Sequence, residues 1–114
     1  MRVELLFIDG CPSHDAVLPL LRRLIDEAGL HTPVTQQRIA SLEEADQTKF
    51  LGSPTIRVDG VDIEPSAHER HDYGLQCRLY PTPHGLRGVP MEALIRTALR
   101  VDSATASRSA EETP

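Results

Sequence analysis

The sequence predicts an α/β domain, and three observations carry the prediction. An apolar run, "RVELLFI" (Arg2 to Ile8), leads directly into a proline-initiated segment of helical period. A second run with β-formers at its ends spans Pro33 to Ala40. A hairpin pattern then centres on Asp59-Gly60.

Each element has a physical reason. Arg2 to Ile8 is nearly all apolar, as expected of a strand buried on both faces. Pro12 suits a first helical position, where its missing N–H costs nothing. Val17, Leu20, Leu21, Leu24, Ile25 and Ala28 follow at helical spacing, with Arg22, Arg23, Asp26 and Glu27 on the other face. Gly29 provides a left-handed stop. Pro19 lies inside this helix and deprives the Asp15 carbonyl of its partner, which predicts a kink. Ser41 and Glu44 form a capping box for a short helix, Leu42 to Lys49. Thr55 to Asp59 alternates, Asp59-Gly60 turns, and Val61 to Glu64 returns. Pro65 to Gly88 has no clear period and reads as an insertion, with a short helical or extended piece around "DYGLQCRLY". Pro90 opens a last helix with Leu94, Ile95, Ala98 and Leu99 on its inner face.

The predicted order is β-α-β-α-β-β-insertion-α, one domain over residues 1–101 with the insertion at 65–88. The first strands are parallel with a right-handed crossover, and the later pair is an antiparallel hairpin, so the sheet is four-stranded and mixed. Residues 102–114, "DSATASRSAEETP", lack any apolar period and predict a disordered tail.

Composition narrows the function. A net charge of -5, with no basic stripe on any predicted helix, argues against nucleic acid as a partner. No segment reaches the ~20 apolar residues needed to span a bilayer. The N-terminal run is too short and too interrupted by Glu4 for a signal peptide, so the expected location is cytoplasmic. Two cysteines in that compartment point to thiol chemistry, metal binding or core filling rather than a structural staple.

The order of elements, with Cys11-Pro12 at the first helix start and "GSPT" before the third strand, resembles the thioredoxin-like fold. The likeness covers residues 2–64 and 89–100. It implies that Cys11 is the attacking cysteine, that Pro19 is the helix kink and that Pro54 is a cis-proline. The family's C-x-x-C is here C-P-S-H, so His14 stands where the second thiol would be. Dithiol exchange within the motif is therefore out of reach. "FLGSPTIRVDGVDIEP" with "DYGLQCRLY" is also similar to short bacterial thioredoxin-like proteins labelled alkylmercury lyase by similarity. Organomercurial lyases use two cysteines and an aspartate, roles that this likeness would give to Cys11, Cys77 and Asp9.

The residues themselves permit the following chemistry. A cysteine at a helix start meets the positive end of the dipole, which favours its thiolate. His14, a turn further on, either supports that charge or passes a proton. Asp9 opposes the dipole by like-charge repulsion. The plain alternative is an inert, half-buried Cys11. A cis Ser53–Pro54 bond would turn the Ser53 backbone toward Cys11, offering an edge to an extended substrate or a glutathione-like peptide. The alternative is a trans proline that merely starts a strand. Pro12, Ser53, Pro54 and Thr55 form the expected substrate-binding set. Cys77 is either a small apolar residue of the insertion, a thiol that resolves a mixed disulfide on Cys11, or a second soft ligand for a thiophilic metal. His68, His71 and His84 lack paired close spacing and read as polar loop residues rather than a zinc site with Cys77. Arg70, Arg78 and Arg87 either hold an anionic substrate or balance Glu64, Glu69 and Asp72. Tyr73 and Tyr80 pack the insertion down.

Three functions follow as expectations. The first is a thiol-dependent oxidoreductase with Cys11 as nucleophile, resolved by Cys77 or an external thiol such as glutathione. The second is a binder of mercury or another soft metal, or a lyase, using both thiols. The third is a non-catalytic binding module. No cofactor is expected. The exposed strand at Pro33 to Ala40 offers an edge for a second copy, but the sequence fixes no oligomeric state.

Overall fold

β1 (Val3–Phe7) is apolar along most of its length because both faces of it are covered. Val3 and Leu5 are buried on one face and Leu6 on the other. β2 (Val34–Arg38) runs parallel to β1, and β3 (Thr55–Val58) runs antiparallel on its other side. β4 (Val61–Asp62) pairs with β3, giving the order β2-β1-β3-β4. The computed structural model describes residues 1–100. It has the α/β architecture and four-stranded mixed sheet expected from the sequence. The tail assigned to 102–114 lies outside the described residues.

α1 (Pro12–Glu27) buries Val17, Leu21, Leu24 and Ile25 against Val3, Leu5, Ile56 and Val58. α3, helical over 92–100, adds Ile95 and Leu99 to the same core. α2 (Leu42–Thr48) covers the opposite face, where Ala45 and Phe50 meet Leu6 and Ile39. The sheet is thus sandwiched between α1 with α3 on one side and α2 on the other. A ring of exposed ion pairs, Arg23 and Arg96 with Glu27 and Glu92, ties α1 to α3 at 2.7–3.3 Å.

The local signals act as their chemistry requires. Gly29 (φ +75) donates to Asp26 and Leu30 to Ile25, which satisfies the last carbonyls of α1. Pro19 stays within α1 at an exposed position. Ser41 Oγ accepts from the Glu44 amide at 3.1 Å. Glu44 in turn accepts from the Ala40 amide at 3.4 Å, one residue before the cap. Asp59 and Gly60 both have positive φ, the geometry of a tight hairpin turn.

The insertion is more ordered than its composition suggests. A 3-10 turn occupies Pro65–Glu69, and residue 77 pairs with Ser53. A small hairpin follows, β5 (Tyr80–Thr82) and β6 (Gly85–Arg87). Three-residue strands, one with Pro81 at its centre and Pro83 just after it, are too short to display a period, which is why the sequence hides them. Among the described residues, no helix is long and apolar enough to cross a membrane.

Candidate functional site

The handover from β1 to α1 builds the first part of the site. Cys11 is the N-cap of α1 in an extended conformation, with Pro12 in the first helical turn. The Cys11 thiol makes no capping hydrogen bond, so the side chain is not spent on the helix. Cys11 is only 7% exposed and lies in a cleft of about 410 Å³ lined by Phe7, Asp9, Pro12, His14 and Asp15.

His14 is held firmly in that cleft. Its amide donates to the Cys11 carbonyl at 3.2 Å. Its ring stacks on Phe7 with centroids 4.0 Å apart, and Nε2 lies 2.9 Å from Gln36 Oε1. Phe7 shares its parity with Val3 and Leu5, and Gln36 with Val34, so both side chains project toward α1. With Gln36 Oε1 as the acceptor, His14 Nε2–H is the donor of this bond. Nδ1 is 3.6 Å from Asp15 Oδ1. Asp9, the aspartate of the lyase likeness, lines the same cleft, is largely exposed and is engaged by Arg38 at 2.7 Å.

The second part of the site is the loop before β3. The Ser53–Pro54 bond is cis, and Ser53, Pro54 and Thr55 are all buried. Leu6 pairs with Thr55 in the antiparallel β1–β3 register. Ser53 and Pro54 therefore leave β3 at the same end of the sheet where β1 runs on toward Cys11. The backbone of Ser53, expected to receive an extended substrate, is already occupied. Its N–H donates to the Gln76 carbonyl (2.8 Å), and its carbonyl accepts from the Arg78 N–H (2.9 Å). That edge is filled by the insertion itself, and a substrate chain cannot add there.

This pairing brings Cys77 to the sheet end that carries Cys11. Both cysteines are free thiols; Cys77 is exposed, and it does not line the Cys11 cleft. Gly52 makes the close approach possible. At φ +125 a Cβ there would come within 3.0 Å of Arg78 Cβ and 3.1 Å of the Gln76 carbonyl. Gly88, at the far end of the insertion, lies against Ser13 in the first turn of α1.

Arg78 locks the insertion down. Its side chain is fully buried and reaches Asp62 with two bonds (2.7 and 2.9 Å), Glu64 (3.0 Å) and Thr55 Oγ1 (3.2 Å). Its guanidinium also sits 4.5 Å from the Tyr80 ring centroid. The Tyr80 hydroxyl donates to the Pro54 carbonyl at 2.5 Å. Burial by itself lowers the Arg78 pKa. The Asp62 and Glu64 hydrogen bonds, with the Tyr80 and Asp62 charges, outweigh it and raise the value. Burial holds the Tyr80 phenol well above its usual 10.0, although Arg78 works against it. The sequence left Arg78 between substrate anions and internal carboxylates; the acids it meets are those of the β4 segment. Among the described residues no group of three His, Cys, Asp or Glu side chains could hold an ion.

Two outcomes are expected. Arg78→Met leaves Asp62 and Glu64 without their buried partner and should cost about 3–5 kcal/mol in urea unfolding, whereas a surface-type effect below about 1 kcal/mol would refute the clamp. Folded Tyr80 keeps its proton where the unfolded phenol loses it. The stability from Tyr80 is therefore complete below pH 10 and is lost as pH rises above it. The stability advantage over Tyr80→Phe should shrink between pH 9 and 11 (about one unit either side of the free phenol); a constant difference would contradict the burial. Comparison of the chain with family models, with curated proteins and with solved structures gives no match.

Proposed function

We propose that the protein is a thiol-dependent oxidoreductase of thioredoxin-like fold, with Cys11 as nucleophile and Cys77 as the resolving thiol. The observation that carries this reading is the placement of two free thiols at one end of the sheet. One lies at a helix start, its side chain free of capping duty; the other is held by backbone pairing to the residue before Pro54. The strand order β2-β1-β3-β4 and the cis Ser53–Pro54 bond support the fold assignment.

In the first step the Cys11 thiolate attacks a disulfide RSSR′. A Cys11–S–SR bond forms, the substrate S–S bond breaks, and R′S⁻ leaves. His14 takes the Cys11 proton and returns it to the leaving thiolate, so R′SH is released. In the second step the Cys77 thiolate attacks the Cys11 sulfur and releases RS⁻, which is protonated. The substrate gains two electrons, and the protein is left with a Cys11–Cys77 disulfide. An external small thiol reduces that bond and is itself oxidised. Because the Ser53 edge is taken, the substrate enters the cleft without adding a strand, which favours small disulfides over extended peptides.

Intact-mass analysis of the reduced protein with hydroxyethyl disulfide tests this directly. Wild type should end two hydrogens lighter, while Cys77→Ser should stop at a mixed disulfide on Cys11. Cys11→Ser should lose reduction of the disulfide. Undiminished reduction by Cys11→Ser contradicts the proposal. Release of both product thiols by Cys77→Ser without added thiol removes Cys77 from the second step.

A further inference from the structure

A second cleft, of about 340 Å³, lies between the end of α2, the β3–β4 hairpin and the 3-10 turn. Its charged lining is dominated by cations and histidines: Lys49, Arg57, His68, Arg70 and His71, with Tyr73 as its aromatic wall. This is unexpected in a chain of net charge -5.

The charges there are not balanced from within. Arg57 faces Asp62 across the β3–β4 pair, so Asp62 is its natural counter-ion. The Asp62 carboxylate is instead consumed by Arg78 through both oxygens. Arg57 is left with two neutral acceptors, the carbonyls of Thr48 (2.6 Å) and Lys49 (3.1 Å). Lys49 closes α2 in a left-handed conformation and is exposed. Among the described residues neither Lys49 nor Arg57 has a carboxylate within salt-bridge distance. Arg70 is neutralised by Asp72 at 2.7 and 3.0 Å. His71 is tied to the Tyr73 hydroxyl at 3.2 Å, which fixes one wall of the cleft.

Asp62 also lines the cleft, but both its oxygens are bound by Arg78, so against this one carboxylate stand Lys49, Arg57 and Arg70. A concave site with such an excess of one sign of charge focuses its potential and concentrates counter-ions. Its size falls at the lower end of small-ligand pockets. We propose that this cleft binds a small, doubly charged oxyanion, a phosphate monoester or a dicarboxylate. Arg57 supplies the directional donors and Lys49 the second charge. The site is separate from the Cys11 cleft, shares no lining residue with it and does not depend on the thiol chemistry.

The test is an amide NMR titration of the reduced full chain at low ionic strength. The probes are glycerol 3-phosphate, succinate and, as neutral control, glycerol. Saturable shifts confined to the residues around 48–51, 57–62 and 67–73, with 7–15 unmoved, support the site. The probe that saturates first identifies the anion class. Lys49→Gln and Arg57→Gln should each weaken binding about tenfold or more, as expected for loss of a charged hydrogen-bond donor. Arg57 also caps α2, so Lys49→Gln is the decisive variant if Arg57→Gln loses structure. Absence of saturation by either anion, equal shifts with glycerol, or unchanged affinity in Lys49→Gln overturns the proposal.

Discussion

The arrangement at the functional end of the molecule depends on one buried charge. The Arg78 guanidinium is fully enclosed, and such a charge is tolerated only when its donors are met by acceptors of opposite sign. Asp62 and Glu64 from the β4 segment supply them to the two terminal nitrogens, Thr55 and the Tyr80 ring complete the enclosure, and the Nε–H is buried without an acceptor among the described residues. Because the Arg78 amide is also the donor to the Ser53 carbonyl, the side-chain clamp and the backbone bridge hold the same segment. The tyrosine hydroxyl on the Pro54 carbonyl adds a third attachment. An insertion that would otherwise be a surface loop thereby becomes part of the sheet end.

Two consequences follow from that clamp. The first is chemical. The cis-proline loop has no free backbone edge, because Gln76 and Arg78 use it, and the segment that uses it carries Cys77. The proposed thiol chemistry therefore rests on a pair assembled from residues far apart in the chain, 11 and 77. The second is electrostatic. By drawing the Asp62 carboxylate toward the core, Arg78 leaves Arg57 without its cross-strand partner. The uncompensated cations of the second cleft are the counterpart of the compensated cation in the core.

The sequence shows some of this clearly and hides the rest for physical reasons. β1, α1 and the β3–β4 hairpin are written in local patterns: an apolar run, a helical period with Gly29 as its stop, and Asp59-Gly60 as a turn. Cys11 as a helix cap is legible because Pro12 marks the helix start. The anchoring of His14 by Phe7 and Gln36 is not, since it depends on which face of the sheet α1 covers. Arg78 is least legible of all. Nothing in "QCRLY" says whether the arginine faces solvent or carboxylates, and its partners lie 14 and 16 residues away along the chain. Gly52 is the one local trace, a residue whose missing Cβ admits the Gln76–Arg78 segment, and it acquires that meaning only once the segment is seen beside it.

The claim that Arg78 fixes the insertion to the Ser53 loop is tested most directly by native-state hydrogen exchange at the Ser53 and Arg78 amides. These two N–H groups form the bridge itself. The account predicts that both exchange only through global unfolding, at the rate of core amides such as that of Ile56. Exchange of either at the rate of an exposed loop, while Ile56 stays protected, would show that the insertion opens freely and would contradict it.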